Sequence, residues 1–490
     1  MNTTDQASGT PAERGNLRAG VAIAIIVTCQ LMVVLDATVV NIALPQIRVA
    51  LHFSHAGLSW VIDAYTLTFG GLMLLGGRAG DIFGRRRMMV LGLIVFSAAS
   101  LVGGFSVSAA MLVASRAVQG VGAAMAAPST LALIAATFGE GQARNRALSI
   151  FSGVSAGAGS LGLILGGLLV SGASWRWVLF INVPIGVAAV LLAPRFVPEP
   201  PRHEGRLDLP GGLLSTAGLA LLIYCFIWIA GGGSNAGVMA GLFVGAAALL
   251  TLFVVVEVRR ATPLVPLGLV LDRTRGLVYL ALLCISAAVF AMLFFISQFM
   301  QNAMHYSALR TGLAFLPLTT AVFIFSRVMP KVLAKIGPRI PLLVGPALMV
   351  ASMAWLSQVT PAQGYLAGLL GPFLLFGIGA GVSYVPMSAT ILRGVDRDES
   401  GAASGVYQTM QQVGGSVGLA ILVTVAASHG QPAALEGAAG FAALAVVLAA
   451  LATIGRRRAG SPAAGGRSEG TPAAASARRP HSSPAGRRAH

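Results

Sequence analysis

The sequence predicts an all-α polytopic membrane protein, and three observations lead there. Hydrophobic residues make up 56% of the 490 and charged residues only 10%, where a soluble domain carries about 25% charged. Mean hydropathy is +0.81. Apolar stretches of ~20 residues, long enough to cross a bilayer as helices, recur from end to end between short polar connections.

In chain order the stretches are Val21–Ile47, Leu58–Gly76, Met88–Phe105, Ala110–Thr137, Ala147–Val170 and Trp177–Ala193. After the proline-rich connection Pro194–Leu207 come Pro210–Ala230 and Val238–Val256. A basic connection around Arg259–Arg275 follows. The last six are Gly276–Phe299, Thr311–Met329, Pro341–Val359, Tyr365–Pro386, Ala402–Ala427 and Gly440–Ile454. These make fourteen spans, an even number that puts both termini on one side. Most of the 33 Lys and Arg fall at the N-terminus, in the loops of that same side, or after the last span. The opposite loops carry Arg48, Arg176 and Arg310. That bias assigns both termini to the cytoplasm of a plasma-membrane protein. Met1–Asn16 and the tail from Arg456, rich in Ala, Gly, Ser, Pro and Arg, read as disordered. The tail serves topology and attraction to anionic lipid.

The net charge of +17 would suit a nucleic-acid partner if it were clustered on a folded patch, but it sits in loops and the tail. Cys29, Cys225 and Cys284 lie in apolar stretches at no metal-ligand spacing and read as small core residues. No His-Glu-x-x-His, serine elbow or Gly-Lys-Ser/Thr phosphate loop occurs, so neither a membrane enzyme nor an ATP-driven pump is indicated.

Leu35–Pro45, LDATVVNIALP, places Asp36 inside the first span. A carboxylate there costs roughly 2.5–3.5 kcal/mol on insertion scales, so it faces protein, a watery cavity or a partner. Pro45 is expected near the exit of that helix, where its missing N–H does least harm. Arg116, several residues inside the fourth span, is under the same constraint. It is either a partner for an acid or a structural arginine bonded to backbone carbonyls. Asp63, in WVIDAY, is either a working acid or a solvated carboxylate at a helix start. GRAGDIFGRRR, Gly77–Arg87, forms a tight basic turn: Gly77, Gly80 and Gly84 allow close approach, Asp81 can sit at a helix N-terminus, and Arg85, Arg86 and Arg87 hold it on the cytoplasmic side.

This loop, with its Gly-x-x-x-Asp-x-x-Gly-Arg-Arg spacing, resembles the signature loop of the major facilitator superfamily. RAVQGVGAA, Arg116–Ala124, resembles its fourth-span motif. LDATVVNIALP, WRWVLFINVPIG (Trp175–Gly186) and GAASGVYQTMQQVGGSVGLA (Gly401–Ala420) resemble its fourteen-span drug:proton antiporters. The similarity runs from about Gly20 to Ile454.

The resemblance implies the major facilitator fold, with two six-helix bundles around a central cavity plus two extra helices. Expected boundaries are 18–195 and 275–455 for the bundles and 196–274 for the linker with the extra pair, with disordered ends at 1–17 and 456–490. It implies export of a hydrophobic or amphipathic drug-like compound in exchange for protons, by alternating access around a midplane site. Transport of an endogenous metabolite or nutrient on the same fold is the alternative. The coupling ion is the proton, with no other cofactor and no metal; lipid surrounds a functional monomer. Asp36, Arg116 and Asp63 fall to proton coupling, and Asp63, where some members use an acid for cationic substrates, alternatively to substrate binding. Asn41, Trp60, Tyr65, Gln119, Phe295, Gln298, Phe299, Gln301, Tyr384, Tyr407 and Gln408 fall to the substrate cavity, or else to interhelical packing. In the fifth span GLILGG puts Leu163 where antiporters usually have proline. Gly162, Gly166 and Gly167 still permit close packing, but the kink is lost. SRVMPKVLAKIGPR, Ser326–Arg339, is a worn copy of the signature loop in which Ala334 replaces the aspartate. The last six spans show no clear internal carboxylate, and Asp396, Asp398 and Glu399 belong to a loop, so coupling is expected in the first half.

Overall fold

The computed structural model describes residues 11–138, 142–202, 208–260, 268, 271–393, 395 and 400–454. Asp396, Asp398, Glu399 and the basic tail lie outside them. Every regular element among the described residues is a helix: α1 (Pro11–Ala50), α2 (Trp60–Phe83), α3 (Arg85–Gly104), α4 (Ala109–Thr137), α5 (Gln142–Gly172), α6 (Trp177–Phe180), α7 (Asn182–Phe196), α8 (Leu209–Ala230), α9 (Ala236–Arg259), α10 (Arg273–Gln298), α11 (Ala308–Ala314), α12 (Leu316–Ile336), α13 (Arg339–Leu356), α14 (Gly371–Leu392) and α15 (Ser400–Ile454).

Twelve stretches among the described residues are long and apolar enough to cross a membrane, against fourteen expected. The difference lies in two places. The last stretch, Ala403–Ile454, has 52 residues, at ~1.5 Å each far more than a ~30 Å hydrocarbon layer takes. It is two helices joined at Gly430, whose φ of 85° and ψ of 170° leave helical space. The other is α5, which at 31 residues is long enough to cross and within which Leu161–Gly172 is the apolar run among the described residues.

Three local expectations are corrected. Helix α1 begins at Pro11, inside the stretch expected to be disordered to residue 17; proline suits a first turn because its φ is preset and its missing N–H is no loss there. Pro45 does not mark the exit of α1, which continues to Ala50. The N–H it lacks would have bonded Asn41 O; Ser297 Oγ of α10 reaches that carbonyl at 3.3 Å, sharing its hydrogen with Phe294 O of its own helix at 3.1 Å. Asp81 lies in the last turn of α2, not at a helix start, because Gly84 with φ 110° separates α2 from α3.

Side-chain caps begin several helices: Ser108, Asp208, Asn235, Asp272 and Ser307 each accept the backbone N–H three residues on, satisfying orphan donors of the first turn. Ile26, Met32, Tyr65, Phe96 and Leu133 form a core among α1–α4. Leu282, Met292, Phe315, Phe373 and Leu419 form a second among α10–α15, which reaches Val39 and Ile42 of α1. Helix α8 packs on both α2 and α15. A β-carbon on Gly71 would stand 2.5 Å from Thr216 Oγ1 of α8, and Thr424 Oγ1 of α15 donates to Phe226 O of α8 at 2.7 Å. Helix α9 packs on α8 and leaves Val244, Val254 and Val258 exposed.

The two sets of helices meet tightly at the end of the molecule where α1 finishes. Gln301 Nε2 donates to Ile42 O at 3.0 Å, beside the Ser297 bond. Leu309 N donates to Ser171 Oγ at 3.1 Å. Gly312 of α11 lies against the Leu163 carbonyl so closely that any β-carbon would collide with it.

Candidate functional site

Asp36 of α1 and Arg116 of α4 are each 1% exposed. Arg116 Nη1 donates to Asp36 Oδ2 at 2.5 Å. Asp36 Oδ1 accepts from Gln119 Nε2 at 2.7 Å and from Asn182 Nδ2 at 2.9 Å. Gln119 also donates to Ser100 Oγ and accepts from Arg116 Nη1, both at 2.7 Å. Arg116 Nε donates to Val61 O at 3.0 Å, and its guanidinium lies 4.4 Å from the Tyr65 ring centroid. Arg116 therefore bonds both a carboxylate and a backbone carbonyl.

Local geometry explains the assembly. Arg116 and Gln119 are three residues apart and share one face of α4, turned towards α1. Asn182 enters at the first residue of α7, and Ser100 comes from α3. A carboxylate taking three N–H donors from two other helices is held as part of a network rather than as a lone pair. Removing one partner of such a pair strands a buried charge, at a cost of about 3–5 kcal/mol.

Asp63, in the first turn of α2, is fully buried, so the solvated reading falls. Ser59 Oγ, four residues earlier, is the hydroxyl beside its carboxyl group and also donates to Ala56 O at 3.2 Å. Three residues on, Thr66 Oγ1 pairs with Ser416 Oγ of α15. Asp63 thus stands one turn from the contact between the two sets of helices, on a different helix from Asp36.

The residues expected around a cavity divide into groups. Gln119 and Tyr65 belong to the Asp36 network; Tyr65 is wholly buried and its hydroxyl donates to Val33 O at 3.3 Å. Asn41, Gln301, Gln298, Phe295 and Phe299 follow the line where α1 meets α10 and its extension. Asn41 Nδ2 donates to Ala37 O at 2.9 Å, while its Oδ1 is buried without a partner. Gln298 Nε2 donates to Phe294 O at 3.4 Å, Phe295 O accepts from Gln431 at 3.2 Å, and Phe299 lines an apolar recess with Leu356 and Pro432. Tyr384, Tyr407 and Gln408 sit half-buried on α14 and α15, apart from that line; Gln411 Nε2 donates to Tyr407 OH at 3.5 Å. Trp60 is half-buried at the start of α2. Among the described residues no cluster of His, Cys, Asp and Glu is arranged to hold a metal.

The glycines of α5 face two directions. Gly162 abuts Thr38 and Gly166 abuts Val39, both on α1, and Gly167 lies against Leu309. Leu163, where a proline is usual, is buried and turns its carbonyl to Gly312, an approach that an unbroken helix allows.

In the signature loop Arg85 Nη2 donates to Asp81 Oδ1 at 2.5 Å. Gly77, one turn before Asp81, has Pro128 of α4 as its neighbour. Glu199, beyond α7, accepts the Arg86 backbone N–H at 3.0 Å and lies 3.5 Å from Arg86 Nε. Arg86 Nη1 donates to Pro194 O at 3.3 Å and Val197 O at 3.1 Å. Each side chain therefore caps the other's helix: the carboxylate holds the start of α3 and the guanidinium the end of α7.

Sequence reasoning missed Asn182, Ser100 and Glu199. Asn182 stood within a quoted motif, a polar residue in an apolar run two before Pro184, which was its only signal. Ser100 and Glu199 gave none.

The sequence pattern of the Major Facilitator Superfamily matches residues 26–419. The chain is 39% identical over 463 residues to the cephamycin export protein CmcT of Amycolatopsis lactamdurans, covering 93% of this chain and 95% of that protein. It is 41% identical over 407 residues to the puromycin resistance protein pur8 of Streptomyces alboniger, covering 82% and 80%. Among solved structures, an auto-inhibited POT family peptide transporter superposes with a TM-score of 0.64 at 15% identity, covering 89% of this chain and 97% of that one; this likeness is one of fold. Helical architecture, paired buried charges and sequence matches across most of the chain agree: the protein is a membrane transporter belonging to the Major Facilitator Superfamily.

Proposed function

We propose that the protein exports hydrophobic or amphipathic antibiotic-like compounds in exchange for protons, by alternating access between α1–α7 and α10–α15, with 18–195 and 275–455 as the moving bundles and 196–274 as their linker. The observation that carries this reading is the Asp36 network. The network lies within α1–α7: protonating Asp36 removes its charge, weakens its bonds to α4 and α7, and so alters the packing of α1, which carries Asn41 and Ile42 to the contact with the other bundle. Proton uptake on Asp36 is then linked to which side is open. Asp63, wholly buried, supplies a second carboxyl close to the opposing helices. Relatives concerned with cephamycin export and puromycin resistance support an antibiotic-like substrate.

Sidedness follows from charge. Arg78, Arg85, Arg86, Arg87, Lys331, Lys335, Arg339 and Arg393 gather at the end of α2, α12 and α14, opposite Arg48, Arg176 and Arg310. We assign the richer end and both termini to the cytoplasm of a plasma-membrane monomer. The end sealed by Ser297, Gln301 and Gly312 is then external, and the described state is closed outwards. One proton falling through ~150 mV supplies about 3.5 kcal/mol, which at ~1.4 kcal/mol per decade sustains a gradient of a few hundredfold.

The test is Asp36→Asn in proteoliposomes loaded with ethidium and given a pH gradient. Gradient-driven dye movement is lost while energy-independent dye exchange continues. Gradient-driven transport at the parent rate would overturn the coupling role.

A further inference from the structure

Two seams run between α1–α7 and α10–α15, and they differ in cover and in charge. The α2/α15 seam is covered by α8, which touches both sides. The other seam is framed by α5 and α11–α12. At its external end it is closed by Gly167 against Leu309 and Gly312 against Leu163. Towards the other end its helices carry cations only. Arg327, Lys331 and Lys335 follow one another at four-residue steps on α12, one face of the helix, and all three are exposed. Arg144 and Arg146 occupy the first turns of the facing α5. Neither α5, α11 nor α12 contains an Asp or Glu, and none of the three α12 cations has a carboxylate partner among the described residues.

The cation row has an apolar border. Ile324 and Val328 are 49% and 47% exposed; at three or seven residues from Lys331 they lie directly beside it. Phe325 and Ser326 point the other way, packed against Gly381 of α14. One exposed face thus offers positive charge next to bare hydrocarbon. Arg327 is nine residues before the helix end at Ile336, ~13 Å deeper at ~1.5 Å per residue. A topological signal needs charge only at the end of a span; this row climbs inwards from it.

Resting on the export reading, we infer that this seam is an anion-selecting mouth. Its cations draw in the acidic group of an amphipathic substrate, a carboxylate, sulfonate or phosphate, while Ile324 and Val328 take the apolar part. The α2/α15 seam, covered by α8, offers no such way in. One-signed walls concentrate counter-charged ligands by roughly tenfold or more, and the effect weakens with salt.

The experiment compares the parent with the combined variant Arg327→Gln, Lys331→Gln, Lys335→Gln in proteoliposomes, using anilinonaphthalene sulfonate as anionic probe and ethidium as cationic probe. Vesicles are made of phosphatidylcholine alone and of phosphatidylcholine with phosphatidylglycerol. The expected result in phosphatidylcholine alone is a rise of about tenfold in KM for the sulfonate, with kcat and ethidium transport unchanged. The charge-keeping variant Lys331→Arg, Lys335→Arg behaves as the parent. An unchanged sulfonate KM, an equal loss for both probes, or an effect confined to phosphatidylglycerol vesicles overturns the inference; the last would make the row a lipid-headgroup site. Parent protein that moves ethidium but not the sulfonate also overturns it and leaves the export reading standing. Parent protein that moves neither probe overturns both.

Discussion

The Ser297 hydroxyl donates to the Asn41 carbonyl, the one acceptor in α1 that Pro45 leaves without its intrahelical partner. A proline within the first helix thus creates a docking point for α10 at the sealed end. Replacing Pro45 by Ala returns the N–H and withdraws that acceptor. Ser297→Ala alone is expected to cost about 1 kcal/mol. In a Pro45→Ala background it costs almost nothing. Thermal unfolding of the four proteins in a double-mutant cycle checks the coupling, and additive effects would refute it.

Asn182 holds the second lone pair of the Asp36 oxygen that Gln119 also bonds. A hydrogen bond to a charged group contributes about 2 kcal/mol, so Asn182→Ala slows proton-driven efflux by roughly 30-fold. Energy-independent exchange of the same dye stays within about twofold. A variant that merely unfolds loses both rates together, and the comparison of the two is the readout.

The reciprocal caps at the signature loop make another pair of changes interdependent. Gly84→Ala forces a side chain into φ 110° and brings its β-carbon to 2.7 Å from Glu199 Oε1. Positive φ alone costs about 1–2 kcal/mol, and the collision adds to it. Glu199→Ala removes the α3 cap and the Arg86 partner for about 1–2 kcal/mol. Combined, the two cost less than their sum, because the collision partner is gone. Unfolding midpoints in detergent report this directly.

His55, in the connection between α1 and α2, accepts from Arg48 Nη1 at 2.7 Å. Partial burial, and then the Arg48 charge, hold its imidazole below the ordinary value of 6.5. A group depressed in this way is neutral in the folded protein while the unfolded chain takes a proton. Stability is therefore full above pH 6.5 and falls as the pH drops below it towards the folded value. His55→Gln is expected to flatten the midpoint-against-pH curve in that window and to leave it unchanged at higher pH.

Spans were legible because bilayer burial demands long uninterrupted apolar runs, and those runs survive any tertiary detail. Asp36 and Arg116 were legible for the same reason: charge inside a span must be answered by a partner. The partner set was not. Asn182 and Ser100 are ordinary polar residues whose meaning exists only once α7 and α3 are laid beside α1. Asp81 was misplaced because Gly84 ends α2 three residues later, and a loop motif does not state which of its residues lies in which helix. Glu199 shows the limit most plainly: 113 residues separate it from the N–H it accepts.

Helix α8 touches both α2 and α15, through Thr216 on one flank and Phe226 on the other. Under the alternating-access motion proposed above, two points joined by one helix cannot separate freely. On that proposal the flank it binds is the spine of a book, and the pages part on the far margin, between α5 and α12.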